Sequence, residues 1–187
     1  MKKLFVIILV LIGIKATAQT TAEFYIGQQQ KKVFLERTAV AENSVTFGYL
    51  EGVYHGGAMF KVFHEQKFWD RPIFIHAEYQ TTFDGGNVYL AGAGLYLYVK
   101  NGFFEFCPMY RYDGQSQWQA SFVYLLNWKY IELYGYNHFW GRNNACFFGE
   151  ERLHFKIGEH WRLGGAIDFS YFDKFACTPL LGIRYDF

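Results

Sequence analysis

The chain has 187 residues, with 18 Lys or Arg against 17 Asp or Glu and a formal net charge of +1. That balance excludes the basic excess of a nucleic-acid binder, and the length allows a single domain. Aromatic residues make up 22% of the chain, above what an ordinary core uses. The three cysteines, Cys107, Cys146 and Cys177, are too few and too widely spaced for a disulfide framework or a zinc site.

The first segment is a positive pair, Lys2 and Lys3, then the apolar run Leu4–Ile14, then the small residues around Thr17. This reads as a secretory signal peptide over residues 1–18, cleaved after Ala18. The apolar run falls short of the about 20 residues that a membrane-spanning helix needs. Residues 19–187 are then one domain without a linker.

From there the dominant signal is period two, which puts alternate side chains on opposite faces of a strand. Phe24–Gly27 and Val33–Val40 read as a short first hairpin. Ser44–Tyr54 and Ala58–Phe68 mix charges with aromatics, so their registers stay open. Ile73–Phe83 sets Ile75, Ala77 and Tyr79 against His76, Glu78 and Gln80. Asn87–Val99 is apolar on both faces. Phe104–Tyr112 sets Phe104, Phe106 and Tyr110 against Glu105 and Arg111. Gln115–Trp128 sets Trp118, Phe122 and Tyr124 against Gln117, Gln119 and Ser121, and Tyr130–Trp140 sets Ile131, Leu133 and Phe139 against Glu132, Tyr134, Tyr136 and His138. Ala145–Ile157 sets Phe147, Leu153 and Phe155 against Glu150, Arg152 and His154. Glu151 interrupts its apolar face, which predicts a bulge or a place near the membrane edge. Arg162–Phe172 and Ala176–Phe187 alternate in the same way, with Arg162, Asp168 and Arg184 on their mixed faces.

Turn signals separate the runs, among them Asp113–Gly114 and Lys100–Gly102. They predict an all-β antiparallel up-and-down barrel of twelve strands, with ten as the alternative, and an even count puts both chain ends on one side. A soluble barrel would have to bury the mixed faces, at several kcal/mol for each unpaired charge. Turning the barrel inside out puts the apolar faces against lipid and the charges in the lumen. This predicts a transmembrane barrel in the bacterial outer membrane. Trp69, Tyr112, Trp118, Trp128, Trp140, Trp161, Tyr171 and Tyr185 are the candidates for its lipid–water boundary.

The terminal Phe187, with Tyr185 two residues before it, resembles the carboxyl-terminal signal that the barrel-assembly machinery reads in outer-membrane proteins. The stretches "FWDRPIFIHAEYQTTFDGG", "YNHFWG" and "PLLGIRYDF" resemble an uncharacterised family of short Gram-negative outer-membrane proteins. That family is similar to the Tsx-type nucleoside-specific channels, and the resemblance implies a monomeric twelve-stranded barrel and carries over no site residues.

The expected lumen lining is His76, Glu78, Glu105, Arg111, Glu132, Tyr134, Tyr136, His138, Glu150, Arg152, His154, Arg162, Asp168 and Arg184. Rings beside hydrogen-bonding groups suit passive passage of small polar solutes, nucleosides among them. The alternative is a non-conducting barrel that docks in a larger envelope complex, for which an outward polar patch at Glu51 or Glu151 would speak. A lipid-modifying enzyme is the remote alternative: Ser44, Ser116, Ser121 and Ser170 carry no nucleophile signature, and the histidines stand singly. No metal, cofactor or nucleic-acid partner is expected.

Overall fold

The computed structural model describes residues 17–28, 30–53, 57–68, 71–82, 86–141, 145–172 and 174–187. The expected leader up to Ala16, Trp69, His55 and parts of several expected turns lie outside the described residues. Twelve antiparallel strands form one closed barrel. They are β1 (Thr17–Ile26), β2 (Lys31–Ala41), β3 (Ser44–Val53), β4 (Gly57–Lys67), β5 (Ile73–Thr82), β6 (Asn87–Val99), β7 (Gly102–Tyr112), β8 (Ser116–Asn127), β9 (Ile131–Gly141), β10 (Ala145–Lys156), β11 (Trp161–Tyr171) and β12 (Phe175–Asp186). Each strand pairs with its neighbours in sequence, and β1 closes on β12. The rim where β1 begins and β12 ends is called the terminal rim here, and the other the open rim.

The alternation sorts side chains by chemistry. Leu97, Leu163 and Leu181 on the outside are exposed, Leu181 to 72%, while Glu23, Glu65, Glu132 and Glu150 on the inside are buried. Exposed apolar residues line the outer faces of β1, β2 and β5 to β12, a larger exposed apolar surface than a soluble monomer carries. Strands of 10–13 residues match the about 9–11 that a tilted strand needs to cross the hydrocarbon. Every backbone ladder is closed, so no unpaired strand edge meets lipid. The fold is therefore a transmembrane barrel with its polar side turned inward.

Four details depart from the sequence reading. The first strand is longer than Phe24–Gly27, because β1 starts at Thr17 and pairs with β2 through Thr17↔Val40. Its early outward positions, Thr20 and Ala22, are not greasy, so alternation gives no sign of it. Trp140 does not belong to the outer boundary: it lies on the inner face of β9, under the Arg111 guanidinium at 5.3 Å. Glu51 also faces inward, 3.4 Å from Lys32. Glu151 does face outward, but without a bulge and away from the edge. The β9 and β10 registers run unbroken through Glu151↔Gly135, in the middle of β10.

β6 is apolar on both faces because one sector of the lumen is filled by grease. Phe74, Leu90, Tyr96, Cys107 and Met109 form a buried cluster on the inner faces of β5, β6 and β7. Phe74 stands directly across the ladder from Gly94. A Cβ on Gly94 would fall inside the Phe74 ring and 2.6 Å from the Phe106 carbonyl oxygen, so a small residue opposite a large one is what lets this narrow interior close. Gly94→Val is expected to lower unfolding stability by about 1–3 kcal/mol through overpacking, read as a shifted urea midpoint of the detergent-folded barrel. At the open rim, Gly114 takes φ +97° in the turn between β7 and β8, a left-handed conformation that glycine adopts without strain.

Candidate functional site

The fourteen residues of the expected lining take inner-face positions on β5, β7 and β9 to β12, and the structure brings most of them into three groups. Near the terminal rim, Glu132 of β9 accepts from Arg162 at 3.0 Å and from Arg184 at 2.8 Å. Arg162 and Arg184 also donate to Asp186, each at 2.7 Å through Nε. These four side chains, from β9, β11 and β12, form a ring of alternating charge across that end of the lumen.

The second group crosses the barrel. Arg152 of β10 donates to Glu23 of β1 at 3.0 Å and to Glu36 of β2 at 2.9 Å, and it also pairs with Glu150 on its own strand. Its guanidinium lies 4.5 Å from the Phe34 ring centroid, a stacking contact that the planar group favours. Tyr25 Oη donates to Glu23 at 2.6 Å and lies 2.8 Å from His154 Nε2. Lys32 of β2 reaches Glu150 at 3.1 Å and pairs with Asp168 of β11. Chords of this kind between strands that are not neighbours cross the lumen and narrow it.

The third group lies opposite, on β4, β5 and β9. Lys61 pairs with Glu78 at 3.2 Å and contacts the Tyr136 hydroxyl across the barrel. His76 stands between Glu65, 2.8 Å from Nδ1, and Glu78, 3.1 Å from Nε2. Tyr96 donates to Glu65. Glu105 is buried on the same sector of the inner face. Arg111 donates to Asp113 and Gln119 near the open rim, each at 2.9 Å.

Above these chords, toward the open rim, the lumen widens into a vestibule of about 420 Å³. Its walls carry Phe47, Tyr49, Phe63, Tyr134, Tyr136, Trp140, Phe148 and Phe172. Its charged lining is Lys32, Lys61, Arg111 and Arg152 against Glu36, Glu51, Glu150 and Asp168, four of each sign. His138 and Asp168 each hold a buried atom, Nε2 and Oδ1, that has no hydrogen-bond partner among the described residues.

The sequence reading omits Glu23, Lys32, Glu36, Glu51, Lys61 and Glu65, which the structure places at the centre of these networks. All six come from β1 to β4. The signal was present in Val33 and Leu35 alternating with Lys32, Phe34 and Glu36. Ser121 and His138 are not isolated either: Ser121 Oγ lies 2.7 Å from His138 Nδ1, and Gln119 Nε2 lies 3.0 Å from the same nitrogen. Among the described residues no carboxylate holds the other ring nitrogen of His138, and Ser121 is buried. This is a hydrogen-bonded wall contact without the oriented base of a serine nucleophile.

No known family model matches the sequence, and no curated protein matches it. Solved structures do share the fold. The KdgM porin in complex with disordered oligogalacturonate superposes with a TM-score of 0.65 at 8% identity, covering 90% of this chain and 99% of that one. The NanC porin gives 0.67 at 7% identity over the same shares. The Acinetobacter baumannii outer membrane protein Omp33 gives 0.60 at 11% identity, covering 91% of this chain and 96% of its own. At these identities the likeness is one of fold. With its apolar outer wall and its charged lumen, the chain is a twelve-stranded transmembrane β-barrel of the outer-membrane type, and porins are among its structural neighbours.

Proposed function

We propose that this barrel is a narrow, non-enzymatic channel for small polar solutes that are neutral or zwitterionic, entered from the open rim. The vestibule carries this reading. Its volume of about 420 Å³ falls within the about 300–1,000 Å³ of small-molecule sites. Aromatic walls offer faces for stacking. The amides of Gln80 and Gln119 and the hydroxyls of Tyr49, Tyr134 and Tyr136 add polar groups to the lining. Nucleosides, with a flat base and hydroxyl groups, fit that chemistry, and the resemblance to Tsx-type channels supports the same class.

Charge balance argues against a polyanion. The structure of KdgM contains oligogalacturonate, but here the four cations of the vestibule stand among four anions. An acidic oligomer would meet as much repulsion as attraction. The chords below the vestibule narrow the path, so unitary conductance is small and permeation depends on side chains moving aside.

The test is planar-bilayer recording of the purified barrel after heat-dependent gel mobility has shown that it is folded. Small current steps that adenosine reduces, and that an acidic oligosaccharide leaves unchanged, support the reading. Proteoliposomes that release small solutes no faster than empty liposomes, with a silent bilayer, overturn it. The same preparation tests the expected maturation: an intact mass beginning at Gln19 supports cleavage after Ala18.

A further inference from the structure

The vestibule wall holds equal numbers of acids and bases, but they are not equally within reach of a solute. The side chains of Lys32, Lys61 and Arg152 are sunk into the wall, 4%, 5% and 5% exposed. Those of Glu36 and Glu51 stand further out, at 15% and 13%. They are diagonal neighbours on the inner face of β2 and β3, where Glu36 stands across the ladder from Tyr49 and Glu51 from Phe34. Arg111 is as exposed as Glu36, but it lies near the open rim beside the more exposed Asp113.

Neither carboxylate has a base to itself. Arg152 is shared by Glu23, Glu36 and Glu150, and Lys32 by Glu51, Glu150 and Asp168. Five carboxylates thus surround two bases in the group that crosses the barrel. Arg184 comes within 3.5 Å of Glu23, but it also pairs with Glu132 and Asp186. The group opposite adds Glu65, Glu78 and Glu105 against Lys61 and His76. At the terminal mouth Lys67 and Lys156 donate to neutral partners, Tyr98 and Asn127, in exposed positions. Salt screens charges there beyond about 8 Å, whereas buried charges are screened much less. The acidic excess therefore acts where the path is narrow.

The rings favour the same sign of charge. Lys61 Nζ lies 4.2 Å from the Tyr136 ring centroid, and the Arg152 guanidinium 5.4 Å from that of Tyr134. Both tyrosines are on β9, which lies opposite β3 in the barrel order. The wall facing Glu51 is thus a surface on which the chain's own cations already rest. We propose that the lumen selects for positive charge, with Glu36 and Glu51 as its specificity-determining residues. Small cations carry its current, and solutes bearing an ammonium group pass ahead of carboxylates of the same size. The ammonium has carboxylates on one side of its path and ring faces on the other. This rests on the barrel being a channel, and it adds a charge preference to the solutes that the vestibule takes.

The test is the reversal potential of the purified barrel in a planar bilayer, first under a potassium chloride gradient. Potassium is then replaced by ethanolammonium, and chloride by glycolate, two-carbon hydroxy ions of similar size. The wild type is expected to pass potassium over chloride several-fold, and ethanolammonium over glycolate. Glu36→Gln combined with Glu51→Gln is expected to bring both ratios close to one, with current steps and heat-dependent gel mobility retained. If the pair does not fold, Glu36→Gln alone is expected to lower both ratios. Glu42→Gln, at an exposed turn on the terminal rim, is expected to leave them unchanged. A barrel that conducts without cation preference overturns this inference and leaves the channel standing. A preference that survives both substitutions overturns the assignment of Glu36 and Glu51. A silent bilayer overturns the channel and the inference together.

Discussion

Arg152→Met is expected to raise single-channel conductance several-fold and to destabilise the barrel by about 3–5 kcal/mol, the cost of stranding buried charges by removing one partner. Arg152 holds Glu23, Glu36 and Glu150 at once, and those carboxylates come from β1, β2 and β10. Without the guanidinium they repel one another, and the long side chain that crosses the lumen is gone. Loss of stability and gain of current then share a cause, which a second set of variants separates. Glu36→Gln and Glu150→Gln added to Arg152→Met remove the repulsion, so most of the lost stability should return while the conductance stays high. The urea midpoint reads the first quantity and bilayer recording the second, and the deviation from additivity measures the coupling. If Arg152→Met conducts like the wild type, the constriction lies elsewhere, with the ring of Glu132, Arg162, Arg184 and Asp186 as the next place to look.

How much of this can be read from the sequence depends on whether a feature is local. Alternation is local, so strand number, the antiparallel order and the inward faces of β5 and of β7 to β12 follow from runs such as Arg162–Phe172. Closure is not local. The Arg152–Glu36 pair spans 116 residues of chain, and no spacing rule connects β10 to β2 until the barrel is shut. The early strands hide their register because their outer faces carry Thr20, Ala22 and Arg37 where later strands carry Leu or Phe. Trp140 misleads in the opposite way. Near a strand end it has the composition of a boundary residue, but the parity it shares with His138 turns it inward. Glu151 is visible as an exception in the sequence, though its neighbours Asn137 and Tyr124 come from strands that only the ladder brings together.

Gly182→Val is expected to damage the seam where the barrel closes. The β1–β12 ladder runs from Thr21↔Asp186 to Ile26↔Leu181, shorter than the ladder between β1 and β2. Within it, Tyr25 stands across from Gly182. The Tyr25 ring is fully buried and packs edge-on against Phe34 at 5.6 Å between centroids. A Cβ on residue 182 would enter that ring and come within 2.8 Å of the Phe24 carbonyl oxygen. The ring cannot shift without giving up its hydrogen bonds to Glu23 and His154, each worth about 1–3 kcal/mol when a buried partner is left unsatisfied, and overpacking adds about 1–3 kcal/mol. A seam that fails leaves β1 and β12 as unpaired edges, which favours aggregation over insertion. The expected result is a large fall in the yield of heat-modifiable folded protein. Gly158→Ala is the control, since nothing lies within 4 Å of a Cβ at that turn position, and its effect should stay within about 0.5 kcal/mol. Adding Tyr25→Ala to Gly182→Val should recover part of the yield, because the clash is gone even though the hydrogen bonds are lost. If Gly182→Val folds as well as Gly158→Ala, the close approach of Tyr25 to β12 does not hold the barrel shut.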